Sequence, residues 1–553
     1  MPPNIIRPQL PPPFLPTLSA WEYVFPSGPG ISPGAGPWPG ETTAFIDGLT
    51  GRSMTRAEVH DTALKLKGGL NARGVKRGDT AAIFGSNSIE WALAAWGCLA
   101  AGVVVTPCSS AFGTSELTYQ LNDSGATVLF ISPELLPVFE KCRSELKFSF
   151  PSDRVILLTP PDAPNQKYPS LWSSLGPLSE PEPFNGVDAH ETAWLCYSSG
   201  TTGLPKGVQT THHNLTTQFE TTTLIRPLPK HGQDVILGFL PFSHMYGILA
   251  VVTTPVLAGV PAIILPKYDE LAALKLMQKY KVTKFSAVPA VLLGLVHSPH
   301  VPRHDVSSLV EIRCGAAPMG PELAALFRAR FPNCVISQGY GMTEASPAIT
   351  LPTPEDDRAG RPGVGRLVPS YEARIVTESG EDAQPGQPGE IWVRGPNVMR
   401  GYHGKPDANA KSFAPGHWFK TGDVLYQDEE GGFHVVDRIK ELIKCKGFQV
   451  PPAEMESLLL SHPDIVDSGV VGVYDAAQAT ELPRAYVVLE SGKQVAPQEI
   501  AQWVANRVAQ YKKLRGGVVV VEGIPRGATG KIMRNKLRER AKEEWEAEGR
   551  ARL

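Results

Sequence analysis

The chain has 553 residues, more than one ordinary hydrophobic core accommodates, so two or more domains are expected and burial is ample without covalent staples. Its 53 lysines and arginines balance 55 acidic residues, a net charge of -2 that gives no global field for a nucleic-acid partner, so any anion must be gripped locally. The seven cysteines (98, 108, 142, 196, 314, 334 and 445) lack a C-x-x-C pair, which argues against a disulfide framework and a zinc site and fits a reducing compartment.

Residues 1–16 are broken by prolines and lack a basic region followed by an apolar run, so they read as an extended arm and not as a signal peptide. Thr55 and Glu58 have capping-box spacing; Val59, Ala63, Leu66 and Leu70 then repeat on one helical face until the stop signal Arg73-Gly74. Short β-rich runs at 80–84, 103–107 and 127–131 alternate with helical segments at 89–101 and 116–122, the pattern of an α/β fold with parallel strands. Two apolar stretches, 91–105 and 235–265, are not read as membrane spans. The first is short of ~20 residues, and the second contains Pro241, Ser243, His244, Pro255 and Pro261. The proline-rich piece 160–183 reads as a loop leading into a second α/β run.

At Tyr197-Ser198-Ser199-Gly200-Thr201-Thr202-Gly203-Leu204-Pro205-Lys206-Gly207-Val208, three glycines, aliphatic hydroxyls and one lysine are packed behind a strand-like run. Glycines let backbone N–H groups turn toward an anion, hydroxyls add neutral donors and the lysine adds a full charge, which together make a polyphosphate grip. It is not a Walker A loop. Counted from Gly200, Pro205 precedes Lys206 and Gly207 stands where Ser or Thr is required.

Further blocks carry chemistry in the same chain order. Leu240-Pro241-Phe242-Ser243-His244-Met245-Tyr246-Gly247 sets an aromatic and a histidine at a strand end, where open α/β sheets bind ligands. Small residues in Arg313-Cys314-Gly315-Ala316-Ala317-Pro318 and Gln338-Gly339-Tyr340-Gly341-Met342-Thr343-Glu344 let a flat ring approach backbone. Tyr340 offers a stacking face, Thr343 a hydroxyl and Glu344 a hard oxygen ligand. Trp418-Phe419-Lys420-Thr421-Gly422-Asp423 puts a carboxylate after a tight glycine turn, where it can accept from two hydroxyls at once. Residues 435–449 crowd Arg438, Lys440, Lys444 and Lys446 among apolar residues, which reads as a hinge followed by a basic face or as an ordinary solvated face. Strands at 465–473 and 484–490 and a helix at 497–510 then predict a compact α+β lid. Its Pro525-Arg526-Gly527-Ala528-Thr529-Gly530-Lys531-Ile532 loop can carry one lysine into a cleft.

From about Ala44 to Lys536, these blocks together resemble the adenylate-forming enzymes, the superfamily of acyl-CoA synthetases, luciferases and adenylation domains. The nearest likeness is to 4-coumarate CoA ligase-like synthetases. The resemblance implies an α/β fold with a large multi-subdomain N-terminal adenylation domain (1–437), a hinge (438–440) and a small mobile α+β C-terminal lid domain (441–553). It implies that Ser198, Ser199, Gly200, Thr201, Thr202, Lys206, Ala316, Gln338, Gly339, Tyr340, Thr343, Asp423, Arg438, Lys440 and Lys531 hold ATP or AMP. Mg2+ would sit on Glu344, and Lys267, Lys446 and Gly447 would contact CoA. His244, Thr343, Lys444, Gln449 and Lys531 would carry the chemistry, with Lys531 touching both the acid carboxylate and the α-phosphate. Cys445 stands where family members often have Tyr.

The implied reaction is that of an ATP-dependent acid:CoA ligase. A carboxylate attacks the α-phosphorus of MgATP and expels pyrophosphate, and the CoA thiol then displaces AMP after the lid turns about Lys440. By the same resemblance the acid tunnel is lined by Met245, Tyr246, Leu249, Ser286, Arg313, Gly315, Ala316, Gly339, Pro347, Ala348 and Ile349. Plant hydroxycinnamate ligases usually have Asn, Lys and Val where this chain has Leu249, Arg313 and Ala348, so a bulkier ring or a medium aliphatic chain is expected as readily as a 4-coumarate-like acid. Two other outcomes share the fold: adenylation without CoA transfer, as in a luciferase-like oxygenase or a carrier-loading enzyme, and a non-catalytic scaffold. The scaffold predicts loss at Lys206, Glu344, Asp423, Arg438 or Lys531, and all five are present. The terminal Ala551, Arg552 and Leu553 resemble a peroxisomal address read by an import receptor; without it the expected location is cytoplasmic.

Overall fold

The computed structural model describes residues 4–26, 38–164, 167–184, 186–198, 204–445, 448–475, 478, 480–527 and 530–550, with side chains to 547 in the last span. Ser199, Gly200, Thr201, Thr202, Lys446, Gly447 and the terminal tripeptide, all given roles by the sequence, lie outside the described residues.

Local signals build the first layer. The Glu58 N–H donates to Thr55 Oγ1 (3.2 Å) and the Thr55 N–H to Glu58 Oε2 (2.7 Å), which closes the box at the start of the helix Arg56–Ala72. Its buried stripe includes Val59, Ala63, Leu66 and Leu70. Gly68 and Gly69 weaken the helix but let the 160–183 loop lie on it: a Cβ at Gly69 would stand 1.8 Å from the Ser174 carbonyl oxygen. The neighbouring helix Ile89–Ala100 is buried on all sides, so its apolar run belongs to the core. The second apolar stretch divides into the strand Ile236–Gly238, helical segments spanning 245–258 and the strand Ala262–Ile264. Among the described residues no helix is long and apolar enough to cross a membrane.

These elements assemble into two seven-stranded sheets among the described residues. One has the order Gly401–Tyr402, Lys206–Thr211, Thr192–Ser198, Val104–Cys108, Thr80–Phe84, Val128–Ile131, Val155–Leu157. Its inner strands are parallel, and the pair flanking the phosphate grip is antiparallel. The other runs Val335–Gln338, Glu311–Cys314, Lys284–Ala287, Ile236–Gly238, Ala262–Ile264, Thr43–Asp47, Ser53–Thr55 and is parallel until its terminal hairpin. An antiparallel sheet built on Glu372–Val376, Gly389–Arg394, Trp418–Gln427 and Phe433–Arg438 follows. The N-terminal arm joins its edge by the bridge Ile6↔Ala373.

Beyond Arg438 the chain belongs to a separate core that contains Ile443, Cys445, Met455, Val470, Tyr486 and Leu537. Ile465–Asp475, Thr480–Leu489 and Val518–Val520 form its sheet. The helix expected over 497–510 ends at Ala505; the chain then makes the 3-10 turn Gln510–Lys512, which lays the Tyr511 ring on Phe448 with centroids 4.4 Å apart. All seven cysteines are unpaired and buried.

Candidate active site

A cavity of about 900 Å3 lies where the two large sheets, the antiparallel sheet and the lid meet. In its nucleotide half, Asp423 faces Arg438 across paired strands. The Tyr340 O–H donates to Asp423 Oδ2 at 2.7 Å, and Arg438 Nε meets Oδ1 at 3.1 Å. Each carboxylate oxygen can accept two bonds, so among the described residues both keep one direction open for a vicinal diol. The turn expected before Asp423 is instead a kink inside the strand Trp418–Gln427: Gly422 takes φ 74°, and its N–H donates to Glu390 Oε1 at 2.9 Å. Ala316, with φ 66°, holds a strained left-handed turn at the cavity wall.

Thr343 and Glu344 open a short 3-10 turn at the same wall. Glu344 Oε1 accepts from Tyr402 O–H at 3.0 Å, and Lys206 Nζ lies 4.8 Å from the centroid of the Tyr402 ring. The base of the grip is pinned from outside: Tyr119 O–H donates to the Pro205 carbonyl at 2.7 Å, and Tyr197 O–H donates to Asp123 at 2.8 Å. Among the described residues no three His, Cys, Asp or Glu side chains converge on a metal position. Glu344 Oε2 accepts from none of the described residues, so Glu344 fits a hard cation that takes its other ligands from phosphate and water.

The lid supplies Lys531. The Gly527 N–H donates to the Lys531 carbonyl (2.8 Å), and the Arg526 guanidinium ties the Gly530 carbonyl (2.7 Å) to Asp467 (2.6 Å). Gly530 rests on Val288 of the large domain so closely that a Cβ would come within 2.8 Å. Burial, and then the Arg438 charge, lowers the Lys531 ammonium to about 8. His244 also lines the cavity; burial lowers its pKa to about 4, so its neutral ring can orient a ligand but brings no positive charge.

The other half of the cavity is a tunnel. Met245, Tyr246, Leu249, Ser286, Arg313, Pro347 and Ala348 line it, as do Gly315, Ala316 and Gly339 toward the nucleotide side. Ile349, expected in the tunnel, and Gln338, expected at the nucleotide, are both absent from the cavity lining. Strand alternation turns Ile349 into the core beside Val364 and leaves Ala348 at the wall, and it places Ser337 and Gly339 at the wall with Gln338 between them. Lys267 is exposed outside the cavity. Lys444 and Gln449 are exposed on the lid hairpin, where the Lys444 N–H donates to Glu481 (2.7 Å) and the Gln449 amide to Glu378, so this arrangement does not bring them to Lys531.

Sequence reasoning missed Tyr402, which only the pairing of Gly401–Tyr402 with Lys206–Thr211 brings to the grip. It also missed Arg226, Lys284 and Glu311, which line the same cavity. A period-two signal was available for Glu311, which stands two residues before Arg313 on one strand face.

A tunnel that meets a buried carboxylate, a wall of hydroxyls and lysine, and a lysine delivered by a second domain is the arrangement expected of an adenylate-forming enzyme. The AMP-binding enzyme family model matches residues 35–403, and that of the AMP-binding enzyme C-terminal domain matches 454–531. The chain belongs to this family and is an AMP-forming acid–thiol ligase. It is 36% identical over 509 residues to 4-coumarate–CoA ligase 2 of Petroselinum crispum, covering 90% of this chain and 91% of the relative. The o-succinylbenzoate coenzyme A synthetase of Bacillus subtilis, solved with ATP and magnesium ion, superposes with a TM-score of 0.76 at 30% identity over 90% of this chain and 96% of its own. ATP-bound MatB from Rhodopseudomonas palustris gives 0.81 at 27% identity, over 95% and 99%.

Proposed function

We propose that the ligase activates an aromatic or medium-chain carboxylic acid, with one cavity serving two half-reactions. The observation that carries this reading is that Lys531 shares a single cavity with Thr343, Asp423, Arg438 and the tunnel mouth. In the first half-reaction the acid oxygen bonds to the α-phosphorus as the bond to the pyrophosphate oxygen breaks, and negative charge grows on the remaining α-oxygens. Lys531 and the Thr343 hydroxyl lie where such charge is stabilised, Lys206 and Ser198 attend the departing phosphates, and Asp423 fixes the ribose. Mg2+, held by Glu344 when bound, neutralises phosphate charge. In the second half-reaction the CoA sulfur attacks the acyl carbonyl, its proton leaves to solvent or a nearby base, and AMP departs with the bonding pair. The exposed positions of Lys444 and Gln449 support a lid rotation about Lys440 that exchanges them for Lys531.

The test is mass-spectrometric product analysis with MgATP, CoA and a panel of cinnamic, benzoic, medium-chain and long-chain acids. Acyl-CoA from the aromatic or medium-chain acids is the expected result. Acyl-AMP that never becomes a thioester would overturn the CoA half-reaction, and exclusive use of long-chain acids would overturn the substrate range.

The lowered Lys531 pKa also sets a pH limb. Only the ammonium stabilises the α-phosphate, and the protonated form predominates below about 8 in the free enzyme. Adenylation kcat/KM, followed by pyrophosphate exchange, therefore falls as pH rises through about 8. Lys531→Arg, with its far higher pKa, removes the limb from whatever activity remains. A profile flat to pH ~10, near the ordinary lysine value, would exclude Lys531 as the titrating group.

A further inference from the structure

Helix Thr114–Ser124 supplies no residue to the cavity lining, yet it reaches the base of the phosphate grip. It is firmly anchored. Leu117 and Leu121 are fully buried, and the Gln120 amide donates to Thr106 Oγ1 at 2.9 Å and to the Pro107 carbonyl at 3.0 Å. Tyr119 and Asp123, four residues apart, share one face of the helix. Tyr119 O–H holds the carbonyl of Pro205, the residue before Lys206, at 2.7 Å.

Asp123 reaches further. Its Oδ2 accepts from Tyr197 O–H at 2.8 Å and its Oδ1 from the Lys405 ammonium. Tyr197 belongs to the strand Thr192–Ser198 and Lys405 follows the strand Gly401–Tyr402; in the sheet, the strand Lys206–Thr211 lies between those two. The Asp123 carboxylate therefore ties together the neighbours on both sides of the strand that carries Lys206. Gly207 leaves room for this: it pairs with Tyr197, and a Cβ there would stand 3.2 Å from the Tyr197 ring. Burial, and then the Asp123 bond, push the Tyr197 phenol well above its usual range, so it stays a donor. On the other side the His403 N–H donates to the Gly207 carbonyl at 2.8 Å, and the Tyr402 ring lies 4.8 Å from Lys206 Nζ.

We propose that Asp123 is a positioning residue for the first half-reaction: from a helix outside the cavity it brackets the Lys206 strand and sets where the Lys206 ammonium meets the β- and γ-phosphates of ATP and, in reverse, pyrophosphate. This rests on the reading that Lys206 attends the departing phosphates. The lysine side chain is flexible, so its reach is fixed by the backbone it starts from. A displacement of ~1 Å there is enough to cost up to about 100-fold.

The test separates the half-reactions by what their substrates carry. Asp123→Ala raises KM for ATP in adenylation and KM for pyrophosphate in the reverse reaction by about 10-fold. The KM for the acid and single-turnover transfer from preformed acyl-AMP to CoA, neither of which meets a β- or γ-phosphate, stay within about twofold, and that transfer reports that the variant is folded. Asp123→Asn, which keeps an acceptor for Tyr197, has a smaller effect. Lys405→Met, at a side chain 34% exposed, also raises the two phosphate-dependent KM values by a smaller factor, and the double variant is no worse than Asp123→Ala alone, because Lys405 acts through that carboxylate. Lys206→Ala raises both values and sets the scale. If it does so while Asp123→Ala leaves them unchanged, or while Asp123→Ala slows transfer from acyl-AMP as much as adenylation, the proposal is overturned and the reading of Lys206 stands. Unchanged values in Lys206→Ala overturn that reading and this inference with it.

Discussion

Lys531→Ala lowers acyl-adenylate formation by about 10²- to 10³-fold and leaves thioester formation from preformed acyl-AMP nearly unchanged. The asymmetry follows from where the lysine sits. Lys531 is carried by the lid but lines the nucleotide cavity beside Asp423 and Arg438, where it meets charge that exists only while the α-phosphorus is being attacked. Its loop is shaped by backbone bonds and by Arg526, so the alanine variant removes the ammonium without unfolding its carrier. Pyrophosphate exchange measures the first half-reaction, and single-turnover transfer from synthetic acyl-AMP to CoA measures the second. Equal losses in both would make Lys531 a structural residue of the lid. No loss in either would remove it from the site.

How much was legible depended on whether the signal was local. The Thr55–Glu58 capping box is a four-residue pattern, and it formed with both of its reciprocal bonds. Lys206, Thr343, Glu344, Asp423, Arg438 and Lys531 could be named because each sits in a short block with its own chemistry, and all six line one cavity. What the blocks did not carry was orientation. Ile349 and Gln338 belong to the right segments, but a strand turns alternate residues away, and a resemblance read as a contiguous run cannot say which ones. Partners made by distant pairing were also hidden. Tyr402 reaches Glu344 only through a strand pair, and Arg226 reaches Glu311 and Asp357 from the end of a helix whose neighbouring sequence gives no hint of buried charge. Lys444 and Gln449 mark a different limit: if one chain alternates between two arrangements, a single structure can place only one set of residues in the cleft.

Arg534→Met destabilises the lid by about 3–5 kcal/mol near neutral pH and slows adenylation in parallel. Arg534 is buried between Glu456 at 2.7 Å and Glu441 at 3.2 Å and stands three residues beyond Lys531, so it joins the segment after the hinge and the helix Pro452–Leu460 to the base of the catalytic loop. Methionine fills the volume but leaves two carboxylates without their cation. The pH dependence gives the mechanism away. Burial raises the Glu456 carboxyl to about 7 even with Arg534 opposing, so its neutral form is the one folding favours. A group raised in the folded state contributes stability that is full below its ordinary value and is lost as pH rises through the folded one. Without Arg534 the folded value climbs further, so the share of the gap that Glu456 contributes is small near pH ~5 and widens toward pH ~8. Hydrogen exchange of the strand Ile465–Asp475, whose Val470 N–H donates to Glu456 at 2.8 Å, follows the lid alone where a whole-chain melt would mix two domains. Replacing Glu456 by Leu in the Arg534→Met background recovers part of the loss, because an apolar pair no longer buries an unmatched charge. Wild-type exchange rates in Arg534→Met at both ends of that pH range would show that the ion pair is not what holds the lid loop in place.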